Sequence, residues 1–240
     1  MASPVPRRID DPFAQALARV AQAAAGKRGE LIHFGAKRQT VSHNGIDLMV
    51  PSGTPIQAPA PRVVLIGMCR ESERGPGASI GNGLVFFVPD ERQPHFLLLA
   101  HLSPRTFTLL RRHGVPIGSE IVRESGEDSV VALSGASRAG PAPHVHVTAA
   151  TTFMHGGTIY SAQAFMERYR QDRGAFLSSL RKTNFQAIMP RTRYGDPRSL
   201  EGYLDPLVLA RGGSLRFSSL PEPALLARSE EKASRAAMRQ

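Results

Sequence analysis

The sequence predicts a mainly β protein, an antiparallel β-sheet or sandwich with a helical extension at each end. Short apolar runs rich in β-branched residues fill the middle of the chain, and Gly, Pro and Ser separate them. These runs follow one another without helical patterns between them, which favours antiparallel pairing over alternating βα units. On both sides of this region the apolar residues recur with the period of a helix. The chain has 240 residues, enough for one sizeable domain with extensions.

Residues 1–30 are predicted to form an N-terminal helical extension. Asp11 can cap a helix, Pro12 suits its first turn, and Gly26 is suited to end it. The apolar residues that share one face of this helix are Phe13, Leu17 and Val20. The segment has no apolar stretch of the kind found in a secretory signal. We therefore expect no standard signal peptide in this sequence, which leaves a cytoplasmic protein, a mature form or export by another route.

Residues 31–150 are predicted to form the β domain. We expect its strands in the runs RVVLIGM, GLVFFVP, HFLLLAHL and DSVVALSG. His95 follows the turn-like stretch PDERQP, and we expect it to lie in a loop.

Residues 151–240 are predicted to be a helical, loop-rich and basic C-terminal extension. A helical stripe expected to pack on the β domain comprises Ala162, Phe165, Met166, Tyr169, Phe176, Leu177 and Leu180. The chain from Pro221 is charged and rich in Ala, as in a terminal helix or a frayed tail. No apolar run in the whole sequence is long enough to span a bilayer.

The formal net charge of +10 favours polyanionic partners. Residues 161–220 hold ten Lys and Arg against five Asp and Glu. Such a surface suits nucleic acid, anionic lipid or an acidic cell-wall polymer, and charge alone does not choose between them. We expect no nucleic acid partner, because the sequence has no zinc-finger or RNP-type motif.

The single cysteine, Cys69, excludes an internal disulfide and a thiolate metal cage. Any metal site must therefore use histidine and carboxylate ligands. We interpret Cys69 as a small core residue, since it ends the apolar run VVLIGMC.

Two short motifs supply such ligands. In PHVHV, His144 and His146 are two residues apart, so on a strand both side chains would lie on one face. In HNGID, a turn between strands can bring His43 and Asp47 together. These two side chains with a second imidazole from a distant strand would make a three-ligand zinc set with one open position, which is typical of catalytic zinc.

Four motifs in order resemble those of the lysostaphin/LytM-type zinc endopeptidases, which cut peptidoglycan cross-bridges. HFGAKR resembles the FGxR lead-in of that family, and HNGIDLMVPSGTPIQAPAP resembles its HxGxD block and PxGTPIxAP continuation. GNGLVFFV and LLLAHLS are similar to its GN strand and AHL motif, and LSGASRAGPAPHVHV to its SGxSxGxHxH ending. The resemblance covers residues 33–149, about half of the chain.

The resemblance implies a role for five residues and a fold. His43, Asp47 and His146 would be zinc ligands, while His101 and His144 would flank the reacting water and carry the proton chemistry. Which of the two is the general base stays open. The implied fold is an antiparallel β domain whose sheet forms a substrate groove with zinc on its floor.

The predicted function is that of a zinc-dependent endopeptidase acting on the peptide cross-links of bacterial peptidoglycan, in the periplasm or cell wall. The partners would be stem peptides, with the basic extension held on anionic wall polymer. One alternative is a wall-cutting component of a phage tail or secretion assembly, delivered by the particle. Another is a non-catalytic activator or binding protein on the same fold.

Overall fold

The computed structural model describes residues 11–26, 30–38, 41–73, 80–123, 130–138, 142–185 and 200–217. It confirms the mainly β prediction, because an antiparallel sheet forms the centre of the described chain. The tail predicted from Pro221 and a part of the basic region, 186–199, lie outside the described residues.

Thirteen strands and five helices are present in the described part of the chain. The strands are β1 (Lys37–Arg38), β2 (Val41–Ser42), β3 (Ile46–Leu48), β4 (Pro55–Gln57), β5 (Arg62–Cys69), β6 (Gly83–Val88), β7 (His95–Ala100), β8 (Glu120–Val122), β9 (Val130–Leu133), β10 (Val145–Ala150), β11 (Thr152–His155), β12 (Thr158–Ser161) and β13 (Tyr203–Leu204). The helices are α1 (Pro12–Ala24), α2 (Arg105–Arg112), α3 (Ala162–Gln171), α4 (Arg173–Leu180) and α5 (Pro206–Arg211). The four predicted strands correspond to β5, β6, β7 and β9.

Seven strands make the main sheet, in the order β13-β10-β7-β6-β5-β8, and β3 pairs with β10. All of these pairs are antiparallel. On β10, His146 lies opposite Asp47 of β3 on one side and opposite Ala100 of β7 on the other. The motifs HNGID, LLLAHLS and PHVHV, which are far apart in sequence, thus lie side by side in the sheet.

Both faces of the sheet are buried. In β5, Val63 and Leu65 face one hydrophobic core, while Val64 and Ile66 face a second. The first core also takes residues from α1 and α5, and the second from α3 and α4. Burial on both faces explains why the central strands read as continuous apolar runs and not as alternating ones.

Helix α1 forms as the sequence predicts. The Asp11 carboxylate accepts a hydrogen bond from the Phe13 N–H at 2.9 Å, and Pro12 occupies the first turn. The side chains of Phe13 and Val20 are fully buried against the sheet. Leu17 is partly buried and packs against the same core.

Helices α3 and α4 of the C-terminal extension pack on the second face of the sheet, as their apolar stripe predicts. The stripe is divided between α3 and α4 at Asp172, whose carboxylate accepts a hydrogen bond from Ala175 N–H and caps α4. Phe165 and Phe176 are buried in the second core. The extension differs from the prediction in also containing strands: the hairpin β11–β12, and β13, which joins the main sheet. These strands have two to four residues, too few to produce a recognisable alternation in the sequence.

A buried glutamate ties this extension to the β domain. The Glu120 side chain, on β8, is only 6% exposed. It accepts hydrogen bonds from Arg62 of β5, and from Tyr169 and Arg173 of the extension.

Among the described helices, none combines the length and apolar character that crossing a membrane requires.

The prediction that His95 lies in a loop is wrong. His95 is the first residue of β7 and is fully buried. Its Nδ1–H donates to the Gln93 carbonyl at 2.8 Å, while Nε2 has no hydrogen-bond partner among the described residues. His95 belongs to the strand because it pairs with Val88 of β6.

We expect His95 to make the protein less stable in mild acid. Burial lowers the pKa of His95 below its usual value of about 6.5, although the Gln93 carbonyl and Asp90 act in the opposite direction. The unfolded chain therefore binds a proton first as the pH falls below about 6.5, so stability present above that pH is lost. Urea unfolding at pH 7.5 and 5.0, with zinc present, should show a smaller loss for His95→Phe than for wild type. An equal loss in both proteins would contradict this role.

Candidate metal centre

Three side chains converge where strands β3 and β10 pair. His43 follows β2, Asp47 lies on β3, and His146 lies on β10. The His43 Nε2 is 3.1 Å from His146 Nδ1 and 3.3 Å from Asp47 Oδ1, and the last two atoms are 2.8 Å apart. Within the described residues, the ligand atoms of these three side chains all lie within 4.8 Å of one another. The side chains are 2%, 6% and 12% exposed, respectively, so the site lies below the surface.

The hydrogen bonds around this group leave its inner nitrogens able to bind a metal. The His43 Nδ1–H donates to the carbonyl of His33 at 2.9 Å, so Nε2 carries the lone pair. The other nitrogen of His146, Nε2, is 2.8 Å from the hydroxyl of Thr148, which is fully buried. When this Nε2–H donates to the hydroxyl, Nδ1 is the free acceptor. Such outer contacts orient metal-binding imidazoles in known sites.

The donor set fits a zinc ion. The unprotonated Nε2 of His43 faces the Asp47 carboxylate, so two acceptors meet without a proton between them. A cation removes that conflict. Ligands at 2.0–2.2 Å from a tetrahedral zinc lie about 3.3–3.6 Å from one another. The separations of 2.8, 3.1 and 3.3 Å found here would widen by a few tenths of an ångström to admit the ion. Two imidazoles and one carboxylate are also a known catalytic zinc set with a fourth position open.

Asp47 is ionised in this site. Burial acts to raise its pKa, but the imidazoles of His146 and His43 beside Oδ1 outweigh this and hold the pKa far below its usual range. The second oxygen, Oδ2, accepts a hydrogen bond from Arg38. The two carboxylate oxygens thus have different neighbours, with Oδ1 toward the imidazoles and Oδ2 toward the guanidinium.

Two further histidines lie beside this group. The rings of His101 and His144 contact edge to face at 4.7 Å between centroids, and the His101 ring is 6.0 Å from that of His146. The His144 Nε2 is 3.7 Å from Asp47 Oδ1. The structure therefore brings together all five residues that the sequence singled out.

Each of these two imidazoles is held through Nδ1 by a backbone carbonyl. His101 donates to Ser137 O at 2.8 Å, and His144 donates to Ala142 O at 3.0 Å. In both rings Nε2 is then the nitrogen left for chemistry. Burial lowers the pKa of His101 to about 4, so this imidazole is neutral at pH 7.

His101 also has a strained backbone. Its φ is 61°, in the left-handed region that residues other than Gly seldom adopt. Non-glycine residues in such conformations are concentrated at functional sites, where the surrounding structure imposes them. Here the neighbouring N–H groups of His101 and Leu102 donate to Ile80 O and Asn82 O.

Asn82 organises the loops behind His101. Its side chain accepts from the Glu71 N–H and donates to Leu102 O, and its own N–H donates to the Ser137 hydroxyl. Ser137 is the residue whose carbonyl orients His101. The GN and SGAS motifs thus meet in space to fix this one imidazole.

Two motif glycines are required by close backbone contacts. A Cβ at Gly45 would lie 2.2 Å from the Val147 carbonyl oxygen and 3.0 Å from the His146 ring. A Cβ at Gly135 would lie 2.4 Å from the Ser103 nitrogen. Gly45 therefore lets the turn before β3 lie directly against β10, and Gly135 lets its loop lie directly against the segment that begins at His101.

Sequence reasoning missed the supporting residues. Arg38, Thr148 and Ser137 contact a predicted ligand or proton carrier, yet none was assigned a role, although Arg38 and Ser137 lie in two of the quoted motifs. Thr148 could have been found, since it continues the alternation of His144 and His146 on β10. Ser137 acts through its backbone carbonyl, a group that every residue has, so its identity in the sequence does not predict this contact.

The comparisons with known proteins concern the fold. No protein-family model matches this chain, and a search of curated proteins found no match. The catalytic domain of the antimicrobial peptidase lysostaphin from Staphylococcus simulans is similar, with 19% identity over 56% of this chain and 89% of that one, and a TM-score of 0.36. A mutant catalytic domain of the prophage-encoded M23 protein EnpA from Enterococcus faecalis is 22% identical over 55% of this chain and 85% of that one, with a TM-score of 0.30.

The family that the sequence motifs resemble takes its name in part from lysostaphin. Both TM-scores lie below 0.5, and neither likeness bears on the chemistry of the site.

Proposed function

We propose that the protein is a zinc-dependent endopeptidase that hydrolyses peptide cross-links of bacterial peptidoglycan. The observation that carries the proposal is the convergence of His43, Asp47 and His146 as three metal-binding atoms beside two oriented imidazoles. The four-motif resemblance to lysostaphin/LytM-type enzymes supports the choice of peptidoglycan as substrate.

The three ligands would hold zinc, which supplies Lewis acidity toward water and toward the scissile carbonyl. The three ligands would hold the ion beside the start of β10. Their burial removes bulk water from around the charges, which strengthens the electrostatic interactions inside the site.

His101 is the general base in this proposal. It is neutral at pH 7, and its Nδ1–H is held by Ser137 O, so the Nε2 lone pair is free to take a proton from the attacking water. The same nitrogen would then give that proton to the leaving amine. The strained backbone of His101 and the Asn82 contacts keep the ring in place for both steps.

His144 is placed to stabilise charge on the substrate. Its Nδ1–H is held by Ala142 O, and its Nε2 side lies close to Asp47 and to the His101 ring. In its doubly protonated form, Nε2–H would donate a hydrogen bond to the carbonyl oxygen as negative charge develops there. Removing one such donor costs about 10²–10³ in kcat in known enzymes.

The remaining partners are proposals of the same kind. Stem peptides would be the bound substrate, and the basic residues of the extension would contact anionic wall polymer. Both place the protein in the periplasm or cell wall, where peptidoglycan lies.

The test combines metal content with digestion of purified peptidoglycan. We expect one zinc per chain, new amino termini in the digest, loss of both on chelation, and recovery when zinc is returned. Mass spectrometry of the products would identify the bond. A protein that binds no zinc and releases no amino termini would overturn the proposal and favour an activator or binding protein.

A further inference from the structure

Arg38 is the charged side chain that contacts the ligand group from outside. Its Nη2 donates both to Asp47 Oδ2 and to the carbonyl of Leu31 at 2.8 Å, and its Nε donates to the same carbonyl at 3.0 Å. The guanidinium is therefore fixed at two points. Its side chain is 35% exposed, whereas that of Asp47 is 6% exposed.

We infer that Arg38 is a positioning residue that restricts Asp47 to binding the metal through one oxygen. With Oδ2 occupied by the guanidinium, only Oδ1 faces His43 Nε2 and His146 Nδ1. A carboxylate free to rotate could instead present both oxygens to the ion. Any effect of Arg38 on peptidoglycan hydrolysis would act through the metal centre and rests on the proposed function.

The planar guanidinium suits this task better than another cation would. It presents several N–H donors in a fixed fork, so it can bond the backbone and the carboxylate at once. A lysine ammonium carries the same charge on a flexible stem and lacks that fork. The Leu31 carbonyl sets the position of the fork, which in turn sets the rotation of the carboxylate.

The coordination number is the chemical consequence. One-oxygen binding by Asp47 gives three protein ligand atoms and leaves a position for water or substrate. Two-oxygen binding would fill that position. Arg38 would thus keep the fourth position open without touching the metal.

The experiment measures zinc affinity for wild type, Arg38→Lys and Arg38→Ala. We expect both variants to bind zinc about 10–100-fold more weakly, the usual effect of removing an outer contact of a metal ligand. If Arg38 acted only by charge, it would repel zinc. Arg38→Ala would then bind more tightly and Arg38→Lys as well as wild type, which would overturn the inference.

A spectroscopic readout separates positioning from a general loss of structure. In cobalt-substituted protein, the visible absorption reports the coordination number. We expect the variants to shift toward a higher coordination number than wild type. An unchanged spectrum would overturn the inference even if zinc affinity fell, because the loss would then come from the structure and not from the coordination number.

Arg173→Ala is the matched control. Arg173 makes a two-point contact with the Glu120 carboxylate, at 2.7 and 2.5 Å, and Glu120 lies on β8, which among the described strands does not pair with β3 or β10. We expect its zinc affinity and cobalt spectrum to match wild type. Wild type that binds zinc but releases no amino termini from peptidoglycan would contradict the proposed function, while the affinity measurements would still test Arg38.

Discussion

Gly45→Ala is expected to remove stoichiometric zinc binding. The new methyl group would need the space of the Val147 carbonyl oxygen, only 2.2 Å from the Cβ position, so β3 must move away from β10. Asp47, two residues further along the chain and on β3, pairs with His146, so the same movement separates two of the proposed zinc ligands. We also expect the free energy of unfolding to fall by about 1–3 kcal/mol or more, as for other overpacked sites. Zinc analysis and urea unfolding measure the two effects.

Gly174→Ala provides the control for this substitution. Gly174 lies in the first turn of α4, and the nearest atom to its Cβ position is the Asp172 Oδ1 at 3.5 Å, an ordinary contact. Alanine there should leave zinc binding unchanged and should not lower stability, since it is a better helix former than glycine. Normal zinc content in Gly45→Ala would show that β3 can shift without opening the site.

Replacing His101 by asparagine is expected to lower kcat for peptidoglycan hydrolysis by about 10²–10⁴-fold, the usual contribution of a general base. Asparagine is a suitable substitute because it tolerates the positive φ of this position better than most residues do. Its amide can also donate to Ser137 O as the imidazole does. Zinc content should stay at one per chain, since His101 is not among the converging ligands.

His113→Asn is the comparison for His101. His113 lies exposed at the end of α2, away from the ligand group, and its replacement should leave kcat unchanged. If His101→Asn retained near-normal kcat with zinc bound, the role of general base would pass to His144. Loss of zinc from His101→Asn would instead show that this residue supports the metal.

The sequence was sufficient to predict the main strands and to select the residues that converge. Burial on both faces leaves long apolar runs in β5, β6 and β7, and such runs are readable without any alignment. His144 and His146 stand out because two imidazoles on one strand are costly in a core. HNGID stands out because a glycine lies between two potential ligands, and the contact of Gly45 with β10 explains that glycine.

The sequence could not predict features that depend on distant backbone. The hairpin β11–β12 and strand β13 are too short for a periodic signal, and β13 exists only because β10 offers it an edge. The orientation of the His101 ring depends on the backbone carbonyl of Ser137, 36 residues away in the chain. Arg38 ends the HFGAKR motif, but its contact with Asp47 arises only when the chain before β3 folds back over the ligand group.

The pairing of β3 with β10 would also determine when the protein can acquire the proposed zinc. Asp47 and His146 are 99 residues apart in the chain, and His43 and His146 are 103 apart. During synthesis, the ribosome releases the first two ligands long before the third, and a single imidazole with a carboxylate is an incomplete set. Metal loading must therefore wait until β10 has emerged and taken its place beside β3. A chain interrupted before residue 146 would carry two of the ligands and have no means of assembling the site.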